Sequence, residues 1–565
     1  MKTKMLKKFL PVLAMVLLTG TLGACGGKDP VVENTTESAE SVEETSEEAA
    51  AVESASEESA SEESAEAESS EEAAAETTDG DSTFTYAISG DPGESTNVIT
   101  SSSRWDLSTI KLIYSPLYMY NADGINWFLA TEYETEDDLT FTFKLRDDVK
   151  WSDGEPFTAD DVVFTYSEME KEENLGWAYS QLVYDEGTVE INKVDDYTVS
   201  FTFPFKTPTA LEMLSQIFIM PEHIYKDVTD FEHNEYNMNS IGTGPYQVVE
   251  YVPGSYVKFK ANEYYYKGAP SIENIVFRII ENSDTALLAL QSGEVDAYQA
   301  IPSEVNKIDL EANNLTTYSY SEGRVGYLMI NAKNVPDEKV RKAILFALNK
   351  DEMNIASYLS EEFFLTPYTF LPPTSQFYTE DVEKYTQDVD KAKELLEEAG
   401  VTDLTLKVGY SGSDPAQTAQ ALLVQQQLQA VGITVELDAA DGTALYTQMQ
   451  DENNDYDMYF SGYIMGIDPD TFSSLFETGG AYNYMYYDDS EVNDLFAEGR
   501  AENDEAKRKE IYNKLQAKIQ DIATFYPITS NNKILVVNKR IQGIEDARLV
   551  PVYTFEDTSF LKIAE

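Results

Sequence analysis

The sequence predicts an α/β protein, because strand and helix patterns alternate in its C-terminal half. The clearest case is a β-α-β unit, in which a strand pattern over residues 404–410 leads into a helical pattern over residues 416–431. Gly432 is placed to end this helix, and residues 433–438 have the pattern of the next strand. Two further helices carry apolar residues at helical spacing, namely Ala392, Leu395, Leu396 and Ala399 in one and Ile511, Leu515, Ile519 and Ile522 in the other.

Residues 457–476 are predicted to form a strand that breaks at Gly466 and continues as a helix. Asp468 followed by Pro469 is typical of an N-cap and a first helical position, and such a cap contributes about 1 kcal/mol to stability. A junction of this kind is a common ligand site in α/β proteins, because unpaired backbone groups meet the positive end of a helix there. The alternative is a buried strand and a capped helix without a ligand.

The N-terminus has the form of a signal peptide. Lysines precede a short apolar run, residues 9–18, which is too short to cross a bilayer as a helix. Residues 1–24 are therefore predicted to be removed, which leaves Cys25, the single cysteine of the chain, as a lipidated N-terminus. Gly23 before Ala24 is a loose match to a lipoprotein cleavage site, so ordinary secretory cleavage that leaves Cys25 unmodified is the alternative.

The next segment has a composition that cannot bury a core. Residues 28–82 contain 20 acidic residues against one lysine, and no aromatic residue. This composition predicts disorder. Together with Cys25, the segment 25–82 is predicted to be a flexible tether that holds a globular domain about 40 Å or more from a membrane. The alternative is a low-complexity expansion without a role.

The charge of the chain excludes several functions. It has 102 Asp and Glu against 40 Lys and Arg, a formal net charge of −62, so it should repel nucleic acid and anionic membranes. No metal site is predicted, because His223 and His233 are ten residues apart and there is no second cysteine. Neither a glycine-rich phosphate loop nor a serine-nucleophile elbow appears, so no cofactor and no catalytic residue is predicted.

Residues 141–169 are the most informative stretch. Alternating apolar residues over 141–145 predict a half-buried strand, and the Ser-Asp-Gly sequence at 152–154 predicts a tight turn. Thr158 and Asp161 then match a variant capping box for the next helix.

This stretch also resembles the signature of the bacterial extracellular solute-binding proteins of the dipeptide, oligopeptide and nickel class (family 5), the receptors of ATP-binding cassette (ABC) importers. The resemblance extends over essentially all of residues 83–565. Further matching segments are Tyr114-Ser115-Pro116-Leu117-Tyr118, Gly242-Thr243-Gly244-Pro245-Tyr246, residues 264–270, Ser292-Gly293-Glu294-Val295-Asp296, Val340-Arg341-Lys342-Ala343-Ile344 and Phe525-Tyr526-Pro527-Ile528.

The resemblance implies a two-lobed periplasmic-binding-protein-like fold with an extra inserted domain in the first lobe. The chain would cross between the lobes near Gly323 and near Ser530, and these crossings would form the hinge of a closing cleft. The implied segments are 83–117, 240–322 and 531–565 for lobe I, 118–239 for the inserted domain, and 323–530 for lobe II.

The resemblance also implies where a ligand binds. In peptide-binding members, the strand corresponding to residues 460–466 lies against the ligand, so its main chain would pair with a peptide backbone. A loop carrying Arg104 and Trp105 would form the opposite wall, with Arg104 available for a ligand carboxylate. Each aromatic residue could equally belong to the core. The implied ligand-binding residues are Ser89, Gly90, Arg104, Trp105, Tyr327, Gly462, Tyr463, Ile464, Met465 and Gly466.

One departure from the family concerns the amino group of a ligand. In the dipeptide and oligopeptide branches an aspartate pairs with the α-ammonium group of the peptide, whereas the corresponding positions here are Met465 and Gly466. Either the amino end of the ligand stays in solvent, or another acid supplies the charge, or the ligand has no such group. Because no acid is present at these positions, N-acetylation of a bound peptide is expected to weaken binding by less than about tenfold.

Three functions are open at this point. The leading hypothesis is an extracellular, lipid-anchored receptor that captures peptides in its cleft and delivers them to an ABC permease. The second is the same fold with another solute, such as an oligosaccharide or a chelated metal. The third is an extracellular enzyme, for which the sequence offers no catalytic motif.

Overall fold

The computed structural model describes residues 82–101, 103–121, 124–174, 176–184, 186–238, 241–464 and 466–564, apart from the side chains of Thr443 and Ile464. The strands are β1 (Thr83–Ile88), β2 (Tyr118–Asn121), β3 (Gly124–Trp127), β4 (Ala130–Glu134), β5 (Thr140–Leu145), β6 (Val183–Tyr184), β7 (Gly187–Thr188), β8 (Glu190–Asp195), β9 (Thr198–Thr202), β10 (Tyr246–Val252), β11 (Tyr256–Ala261), β12 (Asn274–Ile279), β13 (Ala297–Ala300), β14 (Leu315–Ser321), β15 (Arg324–Ile330), β16 (Phe364–Leu365), β17 (Leu404–Ser411), β18 (Ile433–Ala440), β19 (Met458–Ile464), β20 (Phe525–Asn538), β21 (Ile541–Gln542), β22 (Leu549–Val550), β23 (Thr554–Phe555) and β24 (Lys562–Ile563).

Helices alternate with these strands. They are α1 (Arg104–Ile113), α2 (Ala159–Met169), α3 (Tyr179–Leu182), α4 (Ala210–Ser215), α5 (Glu222–Tyr225), α6 (Ser283–Ser292), α7 (Pro302–Val305), α8 (Glu338–Ala347), α9 (Lys350–Tyr358), α10 (Val389–Glu398), α11 (Pro415–Ala430), α12 (Gly442–Met449), α13 (Ser473–Phe476), α14 (Ser490–Ala501), α15 (Glu505–Ile522) and α16 (Ile544–Ala547). Short 3-10 helices lie at Glu172–Asn174, Glu361–Phe363, Pro469–Phe472 and Thr558–Phe560.

One large sheet runs through the structure in the strand order β10-β11-β12-β1-β13-β20-β15-β19-β17-β18. Strand β20 joins its two parts, because residues 525–529 pair with β15 whereas residues 532–538 pair with β14. The link between β14 and β15 contains Gly323, which has a positive φ of +71°. The strand partners therefore change near both predicted crossings, Gly323 and Ser530, while the exact lobe boundaries stay predictions.

In the second part of the sheet, alternate residues of β15 face two separate cores. Leu328 and Ile330 pack on one face, in a core that includes residues of α8 to α11. Tyr327 and Met329 pack on the other face, in a core that includes residues of α12 to α15. This period of two places the sheet between two helical layers.

The first part of the sheet is also covered on both faces. Ile534 and Val536 of β20 face one core, and Leu535 and Val537 face the other. The second of these cores continues into residues 118–239, where β4-β5-β9-β8 form a separate antiparallel sheet. This segment, which contains α4, therefore packs as an extension of the first part and shares its core.

Most local predictions are confirmed. Strands β17 and β18 are parallel and joined by α11, and Gly432 follows that helix with a φ of +90°. The capping box is present, with the N–H of Thr158 donating to Asp161 Oδ2 at 2.9 Å. These elements depend on residues close in sequence, which is why pattern alone predicts them.

Candidate ligand-binding site

The candidate site lies at one edge of the second part of the sheet. Strand β17 is parallel to both β18 and β19, so the carboxyl ends of these three strands, at Ser411, Ala440 and Ile464, point to the same edge. In open α/β sheets this edge is the usual place for ligands. The break after β19, predicted at Gly466, falls here.

Strand β19 has one side without a strand partner near this edge. It pairs with β15 along its whole length, but it pairs with β17 only at Met458 and Tyr459. Within the described part of the chain, residues 460–464 have no strand partner on the β17 side. Their backbone groups on that side can therefore bind an extended ligand. We call this stretch the open edge.

Arg324 covers two glycines beside the open edge. Gly326 and Gly462 face each other across β15 and β19. A Cβ atom on Gly462 would lie 2.8 Å from Arg324 Nη1, and one on Gly326 would lie 3.3 Å from the same atom. At Gly462 the guanidinium group therefore occupies the space of a side chain, whereas at Gly326 the nearest atom is Cγ2 of Thr529, at 2.9 Å. Among the described residues, none is recorded in an ion pair or hydrogen bond with the guanidinium group of Arg324, whose backbone pairs with Ile464.

Arg104 and Trp105 differ from the prediction, which placed them in a loop. They begin helix α1, with Ser103 at the N-cap position and Asp106 in the first turn, where an acidic residue stabilises a helix. Arg104 Nη1 lies 2.7 Å from Glu322 Oε1, and both side chains are buried. Arg104 is therefore already paired in this structure, and sequence could not reveal a partner 218 residues away.

The other residues predicted for this wall have mixed positions. Trp105 is buried against Tyr86, and its ring fills the space that a Cβ on Gly90 would need. Ser89 is exposed. Tyr327 is 1% exposed and packs on Phe525 with ring centroids 4.5 Å apart, so it is a core residue in this structure.

Tyr463 belongs to a row of tyrosines that the sequence analysis did not identify. Its ring centroid lies 5.1 Å from that of Tyr482, which lies 6.3 Å from that of Tyr484. The hydroxyl of Tyr484 donates to that of Tyr446 at 3.2 Å. Tyr463, Tyr482 and Tyr446 are only partly buried, so the row offers flat apolar surface beside the open edge.

Glu212 reaches the end of the open edge from the opposite side. It lies on α4, in the segment that shares its core with the first part of the sheet. Its Oε1 accepts a hydrogen bond of 2.7 Å from the N–H of Ile467, and its carboxylate occupies the space beside Gly466 where a side chain would lie. No Lys, Arg or His of the described chain forms an ion pair with it. Glu212 thus connects the two parts of the molecule across the cleft.

Burial raises the pKa of Glu212 to about 7. The backbone N–H groups of Ile467 and Asp468 and the charge of Arg508 oppose this rise, whereas the negative charge of Asp468 adds to it. The nearby hydroxyl of Tyr120 also has a raised pKa, through its burial and then the charges of Glu212, Asp468 and Glu505. Burial is thus the main cause of both shifts, and neighbouring carboxylates add to it.

Asp468 is the helix cap that the sequence predicts, and it has a second role. Its Oδ1 accepts from the N–H of Asp470 at 2.8 Å, which caps the 3-10 helix Pro469–Phe472. Both its carboxylate oxygens also bind the guanidinium group of Arg508, with Arg508 Nη2 at 2.8 Å from Oδ1. Both side chains are buried. We therefore expect loss of this carboxylate to cost more than the roughly 1 kcal/mol of a helix cap alone.

Some predicted residues lie outside the described part. Cys25 and Met465 are not described, and Ile464 is described only by its backbone, which pairs with Arg324. In the ranges that are described, no helix is long and apolar enough to cross a membrane. The same ranges contain no group of three or more His, Cys, Asp or Glu side chains arranged to hold a metal ion.

We expect Asp468→Ala and Asp468→Asn to lose a similar free energy of unfolding, about 3–5 kcal/mol, because each leaves Arg508 buried without its counter-charge. Denaturation with guanidinium chloride measures both. Asp504→Ala is the matched control, since Asp504 is an exposed cap of α15, and it should cost about 1 kcal/mol. A near-zero cost for Asp468→Asn would show that capping is the main role of this residue.

Glu212 should make stability depend on pH. Its pKa of about 7 lies above the usual 4.5, so its contribution is fully present below about pH 4.5 and is lost as pH rises through about 7. Glu212→Gln is neutral throughout. Its Tm should therefore exceed that of the wild type at pH 8, and the difference should vanish below about pH 4. The exposed Glu505→Gln is the control, and a Tm difference for Glu212→Gln that does not change with pH would contradict this assignment.

Comparison with known proteins agrees with this geometry. The family model for bacterial extracellular solute-binding proteins, family 5 middle, matches residues 125–484. The oligopeptide-binding protein AppA of Bacillus subtilis is 28% identical over 438 residues, which cover 73% of this chain and 79% of that protein. The dipeptide-binding protein of Escherichia coli is 29% identical over 502 residues, which cover 82% of this chain and 91% of that protein.

A solved structure is similar over most of the chain. It is the ABC transporter substrate-binding protein CtaP of Listeria monocytogenes, which is 35% identical and has a TM-score of 0.81. The match covers 86% of this chain and 99% of CtaP. These similar proteins are solute-binding receptors and not enzymes. The chain therefore belongs to family 5 of the bacterial extracellular solute-binding proteins, the substrate-binding proteins of ABC importers, and has their two-lobed α/β fold.

Proposed function

We propose that this protein is a lipid-anchored extracellular receptor that captures peptides and delivers them to an ABC permease. The open edge of β19 carries the proposal, because residues 460–464 offer backbone donors and acceptors to an extended chain. Backbone pairing binds peptides without selecting their side chains. The names of two relatives, an oligopeptide-binding and a dipeptide-binding protein, support the same ligand class.

The anchor is part of the proposal. Cys25 would carry the lipid, and the acidic residues 28–82 would act as the tether between membrane and receptor. Metabolic labelling with a fatty acid in a bacterial host tests this point. A protein that stays labelled after Cys25→Ser would contradict lipidation at Cys25.

Peptide backbone N–H groups should contribute directly to binding. A mixed-sequence panel of peptides with two to eight residues is first screened by thermal shift on a protein that starts at Thr83. The tightest-binding peptide is then methylated on the backbone nitrogens of two alternate residues. Methylation at the pair of positions that faces the open edge should weaken binding by about tenfold or more, since each lost hydrogen bond costs about 0.5–1.5 kcal/mol.

Methylation at the other pair of alternate positions is the control. It should cost little, because those N–H groups point away from the strand in an extended peptide. Equal losses from both pairs would contradict pairing along the open edge. A panel in which no peptide stabilises the protein, while an oligosaccharide does, would favour the second candidate function, for which the partly exposed tyrosine row gives a stacking surface.

Ligand binding should bring the two lobes together. The strand partners change near Gly323 and Ser530, so rotation there opens or closes the cleft with little change inside either part. Small-angle scattering on a protein starting at Thr83 should give a smaller radius of gyration with a saturating peptide than without it. An unchanged radius at saturation would argue against closure.

A further inference from the structure

Two oppositely charged side chains lie beside the open edge, and neither has a counter-charge among the described residues. Arg324 covers Gly462 from one side, and Glu212 occupies the space beside Gly466. Each is partly buried. A partly buried charge without a partner is costly, so a ligand that supplies the opposite charge gains free energy at that position.

Two further cations lie near Arg324. Glu322 is paired with Arg104 at 2.7 Å and lies 3.4 Å from Lys533 Nζ, so one buried acid already faces two cations. Burial lowers the pKa of Lys533, and the positive charges of Arg104 and Arg324 add to that effect. A chain with a net charge of −62 thus has an excess of positive charge at this one place in the cleft. That excess favours an anionic group of a ligand.

The spacing of the two charges limits the ligand. Gly462 and Gly466 are four residues apart, and four residues of extended chain span at most about 13 Å. An extended peptide covers about 3.3–3.6 Å per residue, so about four residues fit between the two charges.

From this arrangement we propose that Arg324 binds the terminal carboxylate and Glu212 binds the terminal ammonium group of a short peptide of at most about four residues. The peptide would then run antiparallel to β19, with its amino end at Gly466. This inference rests on the proposed function, and it names the ligand length and the residues that recognise its ends. Glu212 would supply from α4 the acid that is absent at Gly466, so N-acetylation should weaken binding strongly, contrary to the expectation from sequence.

A cycle of variants and ligand derivatives tests the proposal. The probe is the tightest-binding peptide of the panel with two to four residues, in free, N-acetylated and C-amidated forms, measured by calorimetry at pH 7.5. In the wild type each modification should weaken binding by at least about tenfold. In Glu212→Gln the cost of acetylation should fall below about threefold, with the cost of amidation unchanged. In Arg324→Gln the cost of amidation should fall below about threefold, with the cost of acetylation unchanged.

Controls separate these effects from general changes in charge. Glu505→Gln removes an exposed acid from the start of α15, and Arg278→Gln removes a surface arginine that pairs with Glu294. Both should keep the wild-type costs of acetylation and amidation. Equal acetylation costs in the wild type and in Glu212→Gln would overturn the role of Glu212, and equal amidation costs in Arg324→Gln would overturn that of Arg324.

Proton release gives a second measurement that needs no variant. Tyr120, Asp468, Arg508 and the backbone of Ile467 face Glu212, and Arg508 is already bound to Asp468. An ammonium group beside Glu212 should therefore displace its proton near pH 6.5, and calorimetry in two buffers with different ionisation enthalpies should detect release with the free peptide but not with the acetylated one. Two outcomes would overturn this inference and leave the proposed function standing. One is that free and acetylated peptides bind without a difference in proton release, and the other is that peptides of six to eight residues bind as well as shorter ones. A panel in which no peptide binds overturns the proposed function, and the inference with it.

Discussion

The whole arrangement depends on strand β20, which is shared by the two parts of the large sheet. Its first five residues hydrogen-bond to β15, and its last seven hydrogen-bond to β14, so neither part is complete without it. Sheet hydrogen bonds keep each half of this strand fixed in its own part. We therefore expect relative movement to be concentrated in the short stretch near Ser530 and in the neighbouring link at Gly323, so that the cleft would change by rotation about these two places.

The electrostatics of the cleft depend on where the basic side chains of this very acidic chain lie. Arg104 and Lys533 face a single acid, Glu322, close to the crossings, and the charge of Arg324 acts on Lys533. At the other end of the open edge, Asp468 binds Arg508, and Glu212 has no ion-pair partner of its own among the residues that the structure describes. The cleft therefore has a positive end and a negative end along β19, and the net charge of the chain does not reveal this difference.

Sequence predicted the fold and missed most of the site geometry, for a physical reason. The β17-α11-β18 unit, the capping box at Thr158 and the cap at Asp468 all involve groups within a few residues of each other, so periodicity and cap chemistry identify them. The partners of Arg104 and Glu212 lie 218 and 255 residues away. No local pattern encodes such contacts.

Trp105 illustrates the same difficulty at a single residue. A tryptophan after an arginine is compatible with a ligand-binding wall and with a core. In the structure Trp105 is buried against Tyr86 of the sheet, a contact that the local sequence does not predict. The location of the site could be predicted, because strand ends in α/β folds are general ligand sites. The identity of its charged groups could not.

The glycine beneath Arg324 links the choice of residues on two strands at one end of the cleft. A side chain at Gly462 would collide with the guanidinium group, so Gly462 cannot be replaced while Arg324 keeps its position, whereas a side chain at Gly326 would first meet Thr529. Replacing Arg324 alone with a smaller residue would leave a groove over the backbone of Gly326 and Gly462, with fewer van der Waals contacts for any ligand. Arg324 and Gly462 therefore constrain each other across more than a hundred positions of sequence, and a larger residue at position 462 would require a change at position 324 on the neighbouring strand.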